Sequence, residues 1–195
     1  MPKIVDTEAR RDELIRMSAR AIAKGGLAGL TFRNVARAGG WSTGIVSHYF
    51  ADKHDLLRAT YEARADRVRQ AIHHAHEGGA TLLDAAIDAA LPLDEERQTD
   101  WRVFLAYVGD AFGDRRLATL HRRRTTSFHA TLVRALEAEV EAGRMPRSLD
   151  TGAEARRLQC VLLGIAMQAV FEPSAWTAGE QRALVEAHLR NMLTE

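Results

Sequence analysis

Cys160 is the only cysteine in the 195 residues, so no internal disulfide can form. That usage fits a reducing, cytoplasmic setting. With Leu158 and Val161 beside it, the thiol reads as a buried structural group and not as a nucleophile. Only four prolines interrupt a chain rich in alanine, leucine and arginine, and β-branched runs are scarce. Strands are disfavoured and helices favoured by that composition. No apolar run reaches the ~20 residues that span a bilayer. The opening MPKIVDTEARRDEL lacks a signal-peptide apolar stretch, so no membrane partner is expected. Also missing are a glycine-rich phosphate loop, H-E-x-x-H, paired cysteines and a nucleophile elbow, which argues against an enzyme and calls for no cofactor. A net charge of +1 is too small for a bulk nucleic-acid binder. Its distribution is uneven: residues 1–55 hold nine Lys/Arg against six Asp/Glu, hence +3, and the remainder is −2.

What the chain does have is helical periodicity throughout. The spacing predicts a first helix over 7–25, with Leu14, Ile15, Ala19, Ile22 and Ala23 inward and Gly25-Gly26 as its stop. Asp52 caps a long helix over about 53–76 that carries Leu56, Leu57, Tyr61, Ala65, Val68 and Ile72 on one side. After Gly78-Gly79, five further helices are expected at about 80–91, 95–112, 115–143, 150–172 and 177–193. Pro92, Gly113, Gly143/Pro146 and Pro173 separate them. Short loops between so many helices imply an antiparallel bundle.

Between Thr31 and Phe50 the sequence TFRNVARAGGWSTGIVSHYF reads as two short helices around a glycine turn. Thr31 and Ser42 are the two N-caps, and Gly39-Gly40 breaks the chain between them. Phe32, Val35, Ala36, Ile45 and Val46 with Tyr49 and Phe50 form the apolar side. Ser42, Thr43, Gly44, Ser47 and His48 face outward on the second helix, which carries no carboxylate. Short polar side chains of this kind suit close approach to phosphates and base edges.

The runs T-F-R-N-V-A-R-A-G and S-T-G-I-V-S-H-Y-F, with Lys53 three residues on, resemble the DNA-binding domain of the TetR family of repressors. The second run is most similar to the BetI-like branch of that family. Trp41 departs from the pattern, which has a smaller aliphatic residue there. The resemblance implies an all-α chain of about nine helices: a three-helix helix-turn-helix domain at 1–55 and an effector-binding and dimerisation bundle at 56–195. It implies a cytoplasmic homodimer that binds a palindromic DNA operator and is released by a small-molecule effector. The expected DNA contacts are Thr31, Arg33, Ser42, Thr43, Gly44, Ser47, His48, Tyr49 and Lys53, the roles of His48, Tyr49 and Lys53 on phosphate coming from the resemblance. For Arg10 and Arg11, contact with the duplex and plain solvation are both open.

In the body, the apolar stripes Leu158, Val161, Leu162, Gly164 and Ile165, with Leu184, Val185 and Leu189, are expected at a dimer face. Trp101, Phe104, Tyr107, Phe128, Cys160, Met167 and Phe171 are the candidate effector-pocket lining, suited to an apolar or quaternary ammonium ligand. Two rivals remain. His73, His74 and His76 at the end of the long helix suggest a metal-sensing regulator, with His121 or His129 as a third ligand. A helical adaptor without DNA binding is the other.

Overall fold

A computed structural model describes residues 7–192 of the chain; the opening residues 1–6 and the last three lie outside the described residues. Nine helices make up the described part: α1 (Thr7–Gly29), α2 (Phe32–Gly39), α3 (Thr43–Tyr49), α4 (Lys53–Glu77), α5 (Leu82–Ala90), α6 (Glu95–Ala111), α7 (Arg115–Glu141), α8 (Thr151–Phe171) and α9 (Ala178–Asn191). No strand occurs among the described residues. The expected stop of the first helix is a break inside α1: Gly25 and Gly26 leave helical geometry, Gly26 at φ +58, and a further turn runs to Gly29.

The chain divides into two compact units, Met1–Asp66 with Arg102–Ala118, and Arg67–Trp101 with Thr119–Glu195. In the first, Leu14, Ile15, Ile22, Leu30, Val35, Val46, Phe50, Leu56 and Leu57 are buried to 3% exposure or less. Apart from Leu30, these are apolar positions that the spacing placed inward on the first four helices. Tyr61 of α4 stacks on Tyr107 of α6 with ring centroids 3.8 Å apart and planes 10° from parallel. The Tyr107 hydroxyl donates to the Leu117 carbonyl at 2.9 Å, so the buried phenol keeps a partner.

The core of the second unit draws Ile72 from α4, Leu83, Ala86 and Ile87 from α5, Leu132 and Leu136 from α7, Leu158, Leu162 and Ile165 from α8, and Val185 from α9. Each helix start is capped from its own sequence. Thr81 accepts from Asp84 N–H, Asp150 from Ala153 N–H, and Thr177 forms a reciprocal box with Glu180. Trp101 Nε1–H donates to Ala90 O at 2.8 Å, and Asp88 accepts from Arg182 at 2.8 Å, tying α6 and α9 to α5.

Candidate nucleic-acid interface

Thr31 caps α2 by accepting from Asn34 N–H at 3.1 Å. Asn34 in turn donates to Gly29 O at 2.9 Å and accepts from Arg37 at 3.1 Å. Arg33, one residue inside the helix, is exposed and makes no ion pair among the described residues. The helix ends on Gly40 at φ +69, a left-handed geometry that glycine adopts without a Cβ penalty. Gly40 N–H donates to Arg37 O at 3.3 Å and Trp41 N–H to Ala36 O at 2.8 Å, the paired bonds of a Schellman stop.

α3 follows at once. Val46 and Phe50 are buried, Ile45 and Tyr49 half-buried, and Ser42, Thr43, Gly44, Ser47 and His48 exposed, the division that the pattern implied. Ser42 stands at the N-cap in extended geometry, yet its side chain makes no capping bond. Ser47 Oγ donates to Gly44 O at 3.1 Å, which leaves its lone pairs outward. The His48 ring stands edge-on to Tyr49 at 5.2 Å. Gly44 has only Ser42 Oγ near the position of a Cβ, at 3.6 Å, so its backbone presents a bare surface.

Lys53 opens α4 beside two acids. Asp52 Oδ1 accepts from Asp55 N–H at 2.8 Å, and Asp55 accepts from Ala51 N–H at 3.2 Å and from Arg58 at 2.7 Å, the last offsetting its charge. Burial pushes the Asp55 carboxyl up, but the Arg58 hydrogen bond, the Ala51 amide and the charges of Arg58 and Arg11 outweigh it, and the group sits below the ordinary carboxylate value.

Arg10 and Arg11 are engaged within the protein. The Arg10 guanidinium lies 4.8 Å from the Trp41 ring centroid and that of Arg11 5.4 Å from Phe50. Sequence reasoning missed this role. Its one signal was Trp41, the residue out of pattern.

The body residues divide differently from the expectation. Leu158, Leu162, Ile165 and Val185, expected at a dimer face, are buried within the subunit at 3% exposure or less. They form the inward stripe of α8 and α9 and have no surface left for a partner. Val161 and Leu189 are half-buried, while Gly164 and Leu184 are exposed. The uncovered side of α8 carries Cys160, Leu163, Gly164, Met167 and Phe171. Cys160, read as a buried thiol, is therefore exposed. Met167 and Phe171, like Cys160, point outward and not to an interior pocket. Trp101 and Tyr107 are buried, and Phe104 and Phe128 half-buried. Phe104 carries the Arg64 guanidinium over its ring at 4.9 Å. Burial, chiefly, pushes the Tyr107 phenol far up.

No group of three metal-binding side chains forms among the described residues. His73 pairs with Glu77 at 3.3 Å, and His76 Nδ1 stands 3.0 Å from Ala80 O, so neither histidine favours the metal-sensing alternative. No helix of the described residues is long and apolar enough to cross a membrane.

Two short helices about a left-handed glycine turn, the second with an exposed polar face free of carboxylates, define a helix-turn-helix regulator that binds DNA. Residues 14–60 match the family described as bacterial regulatory proteins, tetR family, and residues 79–194 match the C-terminal domain of BetI-type transcriptional repressors. The chain belongs to the TetR family, with a C-terminal domain of the BetI type. It is a transcriptional regulator and not an enzyme. A BetI regulator from Burkholderia lata is 33% identical over 68% of this chain and 70% of its own length. The regulator PksA of Bacillus subtilis is 24% identical over 100% of this chain and 95% of its own. Among solved structures, a transcriptional regulator from Saccharomonospora viridis, in complex with choline, has a TM-score of 0.85 at 18% identity, covering 95% of this chain and 97% of that one. At that identity the likeness speaks for the fold alone.

Proposed function

We propose that the chain is a ligand-responsive repressor which binds a palindromic operator as a homodimer and leaves it when a small molecule binds. The observation that carries this reading is the exposed face of α3, where Ser42, Thr43, Gly44, Ser47 and His48 stand free of carboxylates. Ser42, Thr43 and Gly44 meet base edges, Ser47 faces the same groove, and Thr31, Arg33, His48, Tyr49 and Lys53 hold phosphates. Residues 1–55 are the DNA-reading part and 56–195 the effector-binding and dimerising part, and the regulator acts in the cytoplasm. One head alone would bind only at ~10⁻⁴–10⁻⁶ M, so a two-fold pair reading half-sites a helical turn or more apart is needed. The exposed apolar side of α8, continued by Leu184 on α9, supports a second copy as the cover.

The effector is an apolar or quaternary ammonium molecule held in the helical body. The BetI-type C-terminal domain and the choline carried by one structural relative support the ammonium class. α4 begins beside the reading helix and extends into the body, which makes it the lever. The ligand must prefer one arrangement of the dimer, since equal affinity shifts nothing.

The test is selection of bound duplexes from a random library, with the Thr43→Ala/His48→Ala variant in parallel. A palindromic consensus lost in the variant is expected, and choline and larger ammonium ions added to the selected duplex then probe release. No enrichment at low salt from the folded protein would refute the reading.

A further inference from the structure

We infer that Trp41 is a positioning residue, wedged between Gly39 and the Arg10 guanidinium, that sets how the first turn of α3 is presented to DNA; this rests on the reading that α3 contacts base edges. The backbone of Trp41 is pinned by its bond to Ala36 O at 2.8 Å, directly after the left-handed Gly40. Its side chain folds back over the last turn of α2. A Cβ built on Gly39 would overlap Cζ3, Cε3 and Cη2 of the indole, the last at 2.6 Å. The ring therefore lies against bare glycine backbone. Over the ring stands Arg10, 4.8 Å from the centroid and itself held by Glu13 at 3.3 Å. The indole thus joins α1, the end of α2 and the entry to α3.

α3 has seven residues, too few to orient itself, and its N-cap side chain makes no bond that would fix its start. Its far end is fixed by buried Phe50, over which Arg11 lies at 5.4 Å. Consecutive arginines of α1 thus brace the aromatic residues that flank α3, Trp41 before it and Phe50 after it. Trp41 is half-buried, so the wedge is rigid on the protein side while the adjacent Ser42 and Thr43 stay exposed.

Gly39 supplies the test. It lies in α2 without a left-handed φ, and alanine at an ordinary helical position is neutral or stabilising. Here alanine must push the indole away. Affinities for the selected operator and for a scrambled duplex are compared by fluorescence anisotropy, with urea midpoints to follow folding. Gly39→Ala and Trp41→Val are each expected to weaken operator binding on the order of tenfold, the scale of one lost base-pair contact. Binding to the scrambled duplex should stay within about twofold, since phosphate contacts carry it. The double variant should be no worse than Trp41→Val alone, because the overlap that Gly39→Ala creates is with the indole. Trp41→Phe keeps a ring under Arg10 and restores most of the loss, whereas Arg10→Gln costs about two- to fivefold, the scale of an exposed cation–π contact.

Additive losses in the double variant, or a neutral Gly39→Ala, would overturn the inference. So would an equal fall on both duplexes, which is the mark of a destabilised head. If Thr43→Ala/His48→Ala abolishes operator binding while the Gly39 and Trp41 variants change nothing, the positioning role alone falls. If that variant also binds normally, the reading of α3 falls with it.

Discussion

Replacing Phe171 with aspartate should convert the proposed dimer to monomer. Leu163, Met167, Phe171 and Leu184 are 42%, 44%, 72% and 46% exposed in the single subunit. Burying such a side chain fully is worth about 1.5–3 kcal/mol, so these four together supply ~6–12 kcal/mol across two subunits. Association costs ~4–15 kcal/mol, so the face has little surplus to lose. Phe171 holds the largest unrealised share. Its loss costs about 1–2 kcal/mol in each copy and, because a two-fold interface counts every residue twice, ~2–4 kcal/mol in all. That is about 30- to 700-fold in the dimer constant, before any repulsion between the new carboxylates. Sedimentation equilibrium across a wide concentration range reads it directly. Phe112→Ser is the control, since Phe112 is 89% exposed and belongs to the other compact unit. A Phe171→Asp protein that dimerises as tightly as the parent, or a Phe112→Ser protein equally impaired, would refute the assignment of this face.

Two further outcomes follow from the head. Lys53→Gln should reduce the slope of log affinity against log salt by about 0.9 per subunit, hence ~2 for a dimer on its operator; an unchanged slope would remove Lys53 from the phosphate contacts. The Asp55 carboxyl sits below its ordinary value of 3.8, so its contribution to stability is present above that value and is lost as pH falls through the lower folded value. Urea midpoints of the parent should therefore exceed those of Asp55→Asn at neutral pH and converge with them below the ordinary carboxylate range; a gap independent of pH would contradict this.

The helix-turn-helix was legible because the signals that start and stop its helices are local. Thr31, Gly40 and Asp52 act on neighbours within four residues, and each does in the structure what its residue type implies. The sidedness of α8 was not legible, because the helix is apolar almost all round and periodicity cannot say which stripe meets the core. Cys160 shows the same failure in small. Its neighbour Leu158 is two positions away, about 200° around a helix with 3.6 residues per turn, so one is buried while the other is exposed. The Tyr61–Tyr107 stack and the Arg10–Trp41 contact join residues far apart in the chain, and a pattern confined to one helix carries no trace of such pairs.

The charge count of the head overstates what remains for DNA. Of its basic residues, Arg10 and Arg11 are held by Trp41 and Phe50, and Arg37 donates to Asn34. At the start of α4 the Asp55 charge is offset by Arg58, whereas the backbone amide that Asp52 accepts from does not neutralise it. With nine Lys/Arg against six Asp/Glu over residues 1–55, long-range attraction is modest. On the proposed reading, discrimination falls to short side chains on α3 whose reach is small. A serine or threonine hydroxyl forms a bond only within about 3 Å of its partner, so a small tilt of α3 removes it, where a long arginine would adapt. A head that reads with short polar groups must hold its reading helix rigidly, and aromatic residues fixed at both ends of α3 by arginines of α1 meet that requirement.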